Sequence, residues 1–136
     1  MDGETKRAVL QWREGLVFQG GEAGGPTAVI DGDNAAAPGP MLTLLLAAGA
    51  CSGADVVSIL EKMRVPARSL RIELSGVRRD TEPRRYLSMH FDFQLAGEGL
   101  DEARARRAVE LSLTKYCSVV NSLAPDITVT YAITLG

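Results

Sequence analysis

A chain of 136 residues, of which 46% are hydrophobic and 24% charged, is expected to fold as one globular domain over residues 1–136. Its 17 acidic and 15 basic side chains give a net charge of −2, which argues against a nucleic-acid partner. The first residues, MDGETKRAVLQW, include acids and no continuous apolar segment, and the central apolar run is shorter than the roughly 20 residues that cross a bilayer. We therefore expect a cytoplasmic protein without a signal peptide or a membrane partner.

The first part of the chain predicts three short strands, at residues 6–13, 16–19 and 27–31. The turn-forming pairs EG and DG follow the first and the third strand, so the first two strands should form a hairpin. A glycine-rich loop, residues 20–26, does not lead from a strand into a helix as a nucleotide-binding GxGxxG motif requires. We therefore exclude a nucleotide site.

Residues 40–64 predict a long helix that is apolar all round at its start and amphipathic towards its end. Cys51 lies where the pattern changes, between Gly49 and Gly53. The two glycines lie four residues apart, on one helical face, although each costs about 1 kcal/mol relative to alanine inside a helix. This pattern indicates that another element packs closely against the helix beside Cys51.

Residues 69–77 and 86–95 alternate apolar and polar side chains, which predicts two antiparallel strands with one buried face. On the second strand the expected inward residues are Leu87, Met89, Phe91, Phe93 and Leu95. Residues 101–123 predict a second long helix, and residues 127–135 a last strand. The buried stripe of that helix is expected to contain Ala105, Val109, Leu113, Tyr116, Cys117 and Val120. Strands and helices in this order indicate an α+β fold.

Cys51 and Cys117 both fall on core-facing helix positions, so the fold could bring them together. With a single histidine, His90, and no CxxC or HxxxH spacing, we expect neither a metal site nor a cofactor. His90 occupies the outward face of a strand and is expected to face solvent. One interpretation is a thiol peroxidase, in which Cys51 attacks a peroxide and Cys117 closes a disulfide. The other is that both cysteines are small buried hydrophobic residues.

Two neighbours bear on that choice. Asp55 lies one helical turn after Cys51, and its carboxylate would raise the pKa of the thiol unless a basic side chain intervenes. Tyr116, beside Cys117, could line a substrate pocket, although a tyrosine in such a stripe is commonly a packing residue. The residues alone leave both interpretations open.

The segment PMLTLLLAAGACSGADVVSILEKMR, followed by LSLTKYCSVVNSL, resembles the OsmC/Ohr family, named for osmotically inducible protein C and organic hydroperoxide resistance protein. The resemblance extends to WREGLVFQG near the start of the chain and to RRDTEPRRY between the paired strands. It implies an OsmC-like fold, in which antiparallel sheets wrap around two long central helices of an intertwined homodimer.

The same resemblance implies thiol-dependent reduction of small organic hydroperoxides at the subunit interface. Cys51 matches the family's peroxidatic cysteine and Cys117 its resolving cysteine, and a lipoylated protein or another dithiol would be the reductant. In the peroxidases a glutamate follows the helix-opening proline and orients an arginine towards the reactive thiolate. Here Met41 takes its place, and Arg13 is the candidate arginine, although it could equally be a solvated charge at a strand end. The alternative function is a non-catalytic OsmC-like dimer that binds a small apolar ligand at the subunit interface.

Overall fold

The computed structural model describes residues 3–136; Met1 and Asp2, which belong to the acidic start of the chain used in the signal-peptide expectation, lie outside them. The chain divides into two compact units, Met1–Leu44 and Leu45–Gly136, with the boundary inside the first helix. That residues 1–136 make up one domain stays a prediction.

The first unit contains an antiparallel sheet of three strands, β1 (Val9–Glu14), β2 (Val17–Gly21) and β3 (Thr27–Asp31). Gly15 forms the turn between β1 and β2 with a φ of 55°, a left-handed conformation that glycine adopts without strain. Asp31 ends β3, and its carboxylate accepts hydrogen bonds from the backbone N–H groups of Asp33, Ala35 and Ala36. The three predicted strands and the two predicted turns are confirmed, but β1 begins at Val9 and not at residue 6, and β2 extends to Gly21, into the predicted glycine-rich loop.

Helix α1 comprises Pro40–Lys62, two residues shorter than the predicted range of 40–64, and in the turn that follows it Arg64 is in the left-handed region, at a φ of 64°. The helix is 23 residues long, and its most apolar 18-residue window has a mean hydropathy of 1.7. By length and composition alone it could cross a membrane, which the sequence-based expectation did not allow for. The core helix of a globular domain has the same composition, so this property has little weight by itself.

The second unit contains a three-stranded sheet of β4 (Ser69–Arg78), β5 (Tyr86–Ala96) and β6 (Thr128–Leu135), with β5 in the centre. β4 pairs with β5 antiparallel as predicted, and β6 pairs with β5 parallel. The core side of β5 holds Met89, Phe91, Phe93 and Leu95, all buried. The prediction for Leu87 was wrong: its side chain is 41% exposed. Val77 pairs with Ser88 and Arg78 with Tyr86, so Leu87 lies in a bulge and Tyr86 takes the inward position.

Helix α1 lies close to β4 at the two glycines. A Cβ atom on Gly49 would come within 2.5 Å of Leu74 Cδ1, and one on Gly53 within 3.1 Å of Ile72 Cδ1. The predicted close approach beside Cys51 is therefore confirmed, and its partner is strand β4.

The second helical region is broken, so the prediction of one continuous helix over residues 101–123 was wrong. Helix α2 (Glu102–Leu111) begins at an Asp101 cap and leads into a π-helical turn (Ser112–Tyr116); a short helix α3 (Ser118–Ser122) follows. Cys117 separates the last two with extended backbone angles, φ −70° and ψ 102°. The break turns Tyr116 outwards, where it is 51% exposed instead of buried. Helices and two sheets together confirm the α+β fold.

Candidate functional site

The two cysteines meet in the second unit. Cys51 is half-buried on α1, Cys117 is fully buried at the break between the π turn and α3, and both are free thiols. The two side chains interact, because Cys51 is one of the groups that raise the pKa of the Cys117 thiol. The Cys117 Sγ also lies 4.0 Å from the Ala48 carbonyl oxygen on α1, one turn before Cys51. Two interacting thiols can exchange a proton or join covalently, and only the half-buried one is open to a molecule from solution.

The surroundings of Cys117 fix its sulfur and keep it protonated. Its backbone N–H donates to the carbonyl oxygen of Ser112 at 2.7 Å, and its Sγ accepts from the N–H of Val120 at 3.5 Å. Burial raises the pKa of the Cys117 thiol to about 11, with smaller increases from Cys51 and from the charge of Asp55, against a lowering by the Val120 N–H. Cys117 is therefore a thiol, and not a thiolate, at neutral pH.

A buried hydrogen-bond chain connects α1 to the π turn next to the cysteines. Ser112 Oγ donates to Asp55 Oδ2 at 3.0 Å, and Ser52 Oγ lies 2.8 Å from Ser112 Oγ. Ser52 and Ser112 are fully buried, and Asp55 is half-buried. Sequence reasoning missed both serines, although Ser52 falls on the buried stripe of α1 and Ser112 follows Val109 by three residues.

A cavity of about 340 Å³ opens beside this chain. It is lined by residues of α1 and of the α2–π turn region: Asp55, Ser58, Ile59, Lys62, Met63, Leu111 and Tyr116. Asp55 follows Cys51 by one helical turn, and Tyr116 directly precedes Cys117. The walls are mostly apolar, with one acid and one base, which suits a small organic molecule with a polar group. Tyr116 thus lines a pocket, one of the two possibilities its position suggested.

The remaining predicted residues lie elsewhere. Arg13 belongs to the first unit, where its Nε and Nη2 donate to Gln19 Oε1 at 3.2 and 3.0 Å; its predicted role at the thiolate stays a prediction. His90 lies on the outward face of β5, as expected, and its Nδ1 is 2.7 Å from Thr130 Oγ1. Among residues 3–136, no group of three or more His, Cys, Asp or Glu side chains is arranged to hold a metal ion.

Comparisons with known proteins agree with the fold and with the resemblance. The profile of the family described as OsmC-like protein matches residues 31–132. Protein YhfA of Escherichia coli (strain K12) is 39% identical over 127 residues, which cover 93% of this chain and 95% of YhfA. The crystal structure of a hypothetical protein from Aquifex aeolicus VF5 is 28% identical, with a TM-score of 0.84 and 98% and 99% of the two chains covered.

The fold is also that of a peroxide-resistance protein. The organic hydroperoxide resistance protein OhrB of Bacillus subtilis superimposes with a TM-score of 0.62 over 96% of this chain and 98% of OhrB. At 12% identity, this similarity concerns the fold alone.

Proposed function

Since the chain belongs to the OsmC-like protein family, we propose that it is a cysteine-based peroxidase that reduces organic hydroperoxides. Membership supports a role related to peroxide stress at the level of the family. In this proposal Cys51 is the attacking cysteine, Cys117 resolves the intermediate, and Arg13 is the candidate for the basic group that stabilises the thiolate.

One observation carries the proposal: a half-buried free thiol, Cys51, lies close enough to a fully buried one, Cys117, to contribute to its raised pKa. The exposure of Cys51 allows a peroxide to reach it. The raised pKa of Cys117, about 11, keeps that thiol from competing for the peroxide, because only thiolates are good nucleophiles. Two inert core cysteines would need neither the contact nor the difference in exposure.

The chemistry proceeds in two steps. The Cys51 thiolate attacks one peroxide oxygen; an S–O bond forms, the O–O bond breaks, and the alkoxide takes a proton to leave as an alcohol. Cys51 is then a sulfenic acid. The Cys117 sulfur attacks the Cys51 sulfur; the S–S bond forms, the S–O bond breaks, and the departing hydroxide combines with the Cys117 proton as water. A dithiol, such as a lipoylated protein, restores both thiols by exchange.

The cavity lined by Asp55, one helical turn after Cys51, and by Tyr116, directly before Cys117, supports an organic substrate. Its apolar wall, with Ile59, Met63 and Leu111, could hold the carbon skeleton of a hydroperoxide, while the thiol reacts with the peroxide group. The cycle also needs thiols that return to the reduced state, which agrees with a cytoplasmic location.

OsmC/Ohr proteins are typically homodimers, and we propose the same for this chain. Its first strand leaves large apolar side chains uncovered: Val9, Leu10 and Trp12 are 62%, 60% and 59% exposed. A second copy would cover such a surface. Sedimentation at several protein concentrations tests this, and a monomer at all of them would contradict it.

The activity is tested by mixing reduced protein with one equivalent of cumene hydroperoxide. Free thiols are counted and the intact mass is measured over time. We expect rapid loss of both thiols and a mass decrease of two hydrogen atoms, both abolished in Cys51→Ser. In Cys117→Ser the reaction should stop at the sulfenic acid, which dimedone traps.

Oxidation no faster than that of free cysteine would overturn the peroxidase proposal. The cavity would then favour the second candidate, a dimer that binds a small apolar ligand. Binding of an environment-sensitive apolar dye, lost on filling the cavity by Ile59→Trp, would support that function.

A further inference from the structure

The donors and acceptors in the hydrogen bonds among Ser52, Ser112 and Asp55 can be assigned, because each serine hydroxyl has one hydrogen to donate. A carboxylate only accepts, so Ser112 uses its single hydroxyl hydrogen on Asp55. The bond between the two serines must then be donated by Ser52. The result is an ordered chain of hydrogen bonds that runs from Ser52, the residue after Cys51, through Ser112 to the carboxylate of Asp55. In a buried environment the bonds within such a chain strengthen one another.

Ser112 forms hydrogen bonds through both its side chain and its backbone. Its side chain is tied to α1 through Ser52 and Asp55, and its carbonyl oxygen accepts the backbone N–H of Cys117 at 2.7 Å. One residue therefore connects the helix that carries Cys51 to the peptide group of Cys117.

From this double attachment we propose that Ser112, held by Asp55, is the positioning residue that keeps the Cys117 sulfur within bonding reach of Cys51. This inference rests on the proposed function, because it concerns the resolving step. Ser112 touches neither peroxide nor sulfur in that step. It acts by limiting the freedom of the π turn relative to α1, so that S–S bond formation needs little further ordering.

The geometry of the break explains why such a residue is needed. Disulfide formation requires the two Cα atoms to lie within about 7 Å, with the Cβ atoms directed at each other. Cys117 has an extended backbone between two helical segments and cannot rely on a continuous helix for its position. The bonds of Ser112 replace that support.

The experiment measures how readily the dithiol closes, by equilibration of the protein at neutral pH in glutathione redox buffers. We expect Ser112→Ala to lower the effective concentration of the two thiols by about tenfold, which corresponds to ~30 mV in the reduction potential. The matched control is Ser122→Ala, which removes a 2.7 Å hydroxyl bond to the Ser118 carbonyl on α3 without touching the chain of serines. The control should match the wild type.

A kinetic measurement separates this inference from the peroxidase proposal. With cumene hydroperoxide, Ser112→Ala should form sulfenic acid at the wild-type rate and close the disulfide about ten times more slowly, in line with the loss of preorganisation. If wild type and Ser112→Ala closed the disulfide equally well in both assays, the positioning role would be overturned, whatever the peroxidase activity. Failure of the wild type to react with peroxide would overturn the proposed function. The glutathione assay would still test the positioning role of Ser112, because it measures disulfide formation without peroxide.

A second variant keeps the test valid if Ser112→Ala does not fold. Asp55→Ala changes a half-buried residue and removes the acceptor that orients the Ser112 hydroxyl. Like Ser112→Ala, Asp55→Ala should lower the effective concentration of the two thiols. If it folds and closes like the wild type, the carboxylate has no part in positioning Cys117, and the proposal is wrong.

Discussion

The buried thiol of Cys117 interacts with the half-buried thiol of Cys51, and its pKa is raised from 9.0 to about 11, mainly by burial and to a smaller extent by Cys51. A folded pKa above the unfolded value means that the protonated form is favoured by folding. Its contribution to stability is complete below pH 9 and is lost as the pH rises towards 11. The unfolding free energy of the reduced protein should therefore fall across this range.

Comparison with Cys117→Ala isolates the contribution of this thiol, since other groups also titrate in the same range. Urea unfolding under reducing conditions, repeated between pH 7 and pH 11, gives the two slopes. We expect a steeper fall for the wild type than for the variant. Parallel slopes would mean that Cys117 titrates alike in the folded and unfolded chains, and the account of its protonation would be wrong.

The two glycines of α1 should respond differently to alanine. On Gly49 a Cβ would meet Leu74 at 2.5 Å, closer than real contacts allow, whereas on Gly53 the nearest atom, in Ile72, is at 3.1 Å. Each substitution gains about 1 kcal/mol of helix propensity, and overpacking costs about 1–3 kcal/mol. We expect Gly49→Ala to be less stable than Gly53→Ala by about 1–2 kcal/mol.

Denaturant unfolding of the two single variants measures this difference directly. The pair controls for helix propensity, because both changes are Gly→Ala inside the same helix. Equal stabilities would show that β4 gives way at Leu74, and the close approach would not explain why glycine is present there.

Patterns along the chain predicted the elements that have regular periods. The alternation in β4 and β5 marked the buried face of each strand, and the Gly49–Gly53 spacing marked where another element approaches α1. Leu87 was misplaced because a bulge inserts one residue without changing the composition of the strand. The break at Cys117 was missed for a similar reason: apolar residues at three- and four-residue steps look the same through a π turn.

The candidate site was predictable only in part. The positions of Cys51 and Cys117 on buried stripes raised the possibility of a pair, but contact between them depends on how two distant helical segments pack. The contact between Ser52 and Ser112, 60 residues apart, has no local signal, since a buried serine is recognised only once its partner is known. No sequence pattern fixes the distance between Arg13 and Cys51. The variant Arg13→Ala tests whether Arg13 stabilises the Cys51 thiolate.

The carboxylate of Asp31 should stabilise the first unit in a pH-dependent way. Three backbone N–H groups donate to it, and those of Ala36 and Asp33 are the main cause of a pKa below 3.8. A folded pKa below the unfolded value gives stability that is present above pH 3.8 and is lost as the pH falls through the folded pKa. Asp31→Asn should be less stable at neutral pH, and its deficit should shrink in acid.

Urea unfolding of wild type and Asp31→Asn at a series of pH values below neutral tests this prediction. Asp33→Asn, on the same turn, is the control for loss of a charge. A deficit that stays constant from neutral pH to well below pH 3.8 would show that the hydrogen bonds do not depend on the ionised carboxylate.

Arg64, in the turn that follows α1, should be replaceable by glycine with a gain in stability. Its φ of 64° is left-handed, a conformation that costs a non-glycine residue roughly 1 kcal/mol, and its N–H and that of Val65 close the helix by bonding to Glu61 and Leu60. In urea unfolding, we expect the free energy of unfolding of Arg64→Gly to be about 0.5–1 kcal/mol higher than that of the wild type.

Asn34, with a φ of 53°, is the contrasting case, because its Oδ1 accepts the Gly39 N–H at 2.9 Å. Asn34→Gly loses that bond and should destabilise, so stabilisation of both variants, or of neither, would contradict this assignment of strain to Arg64.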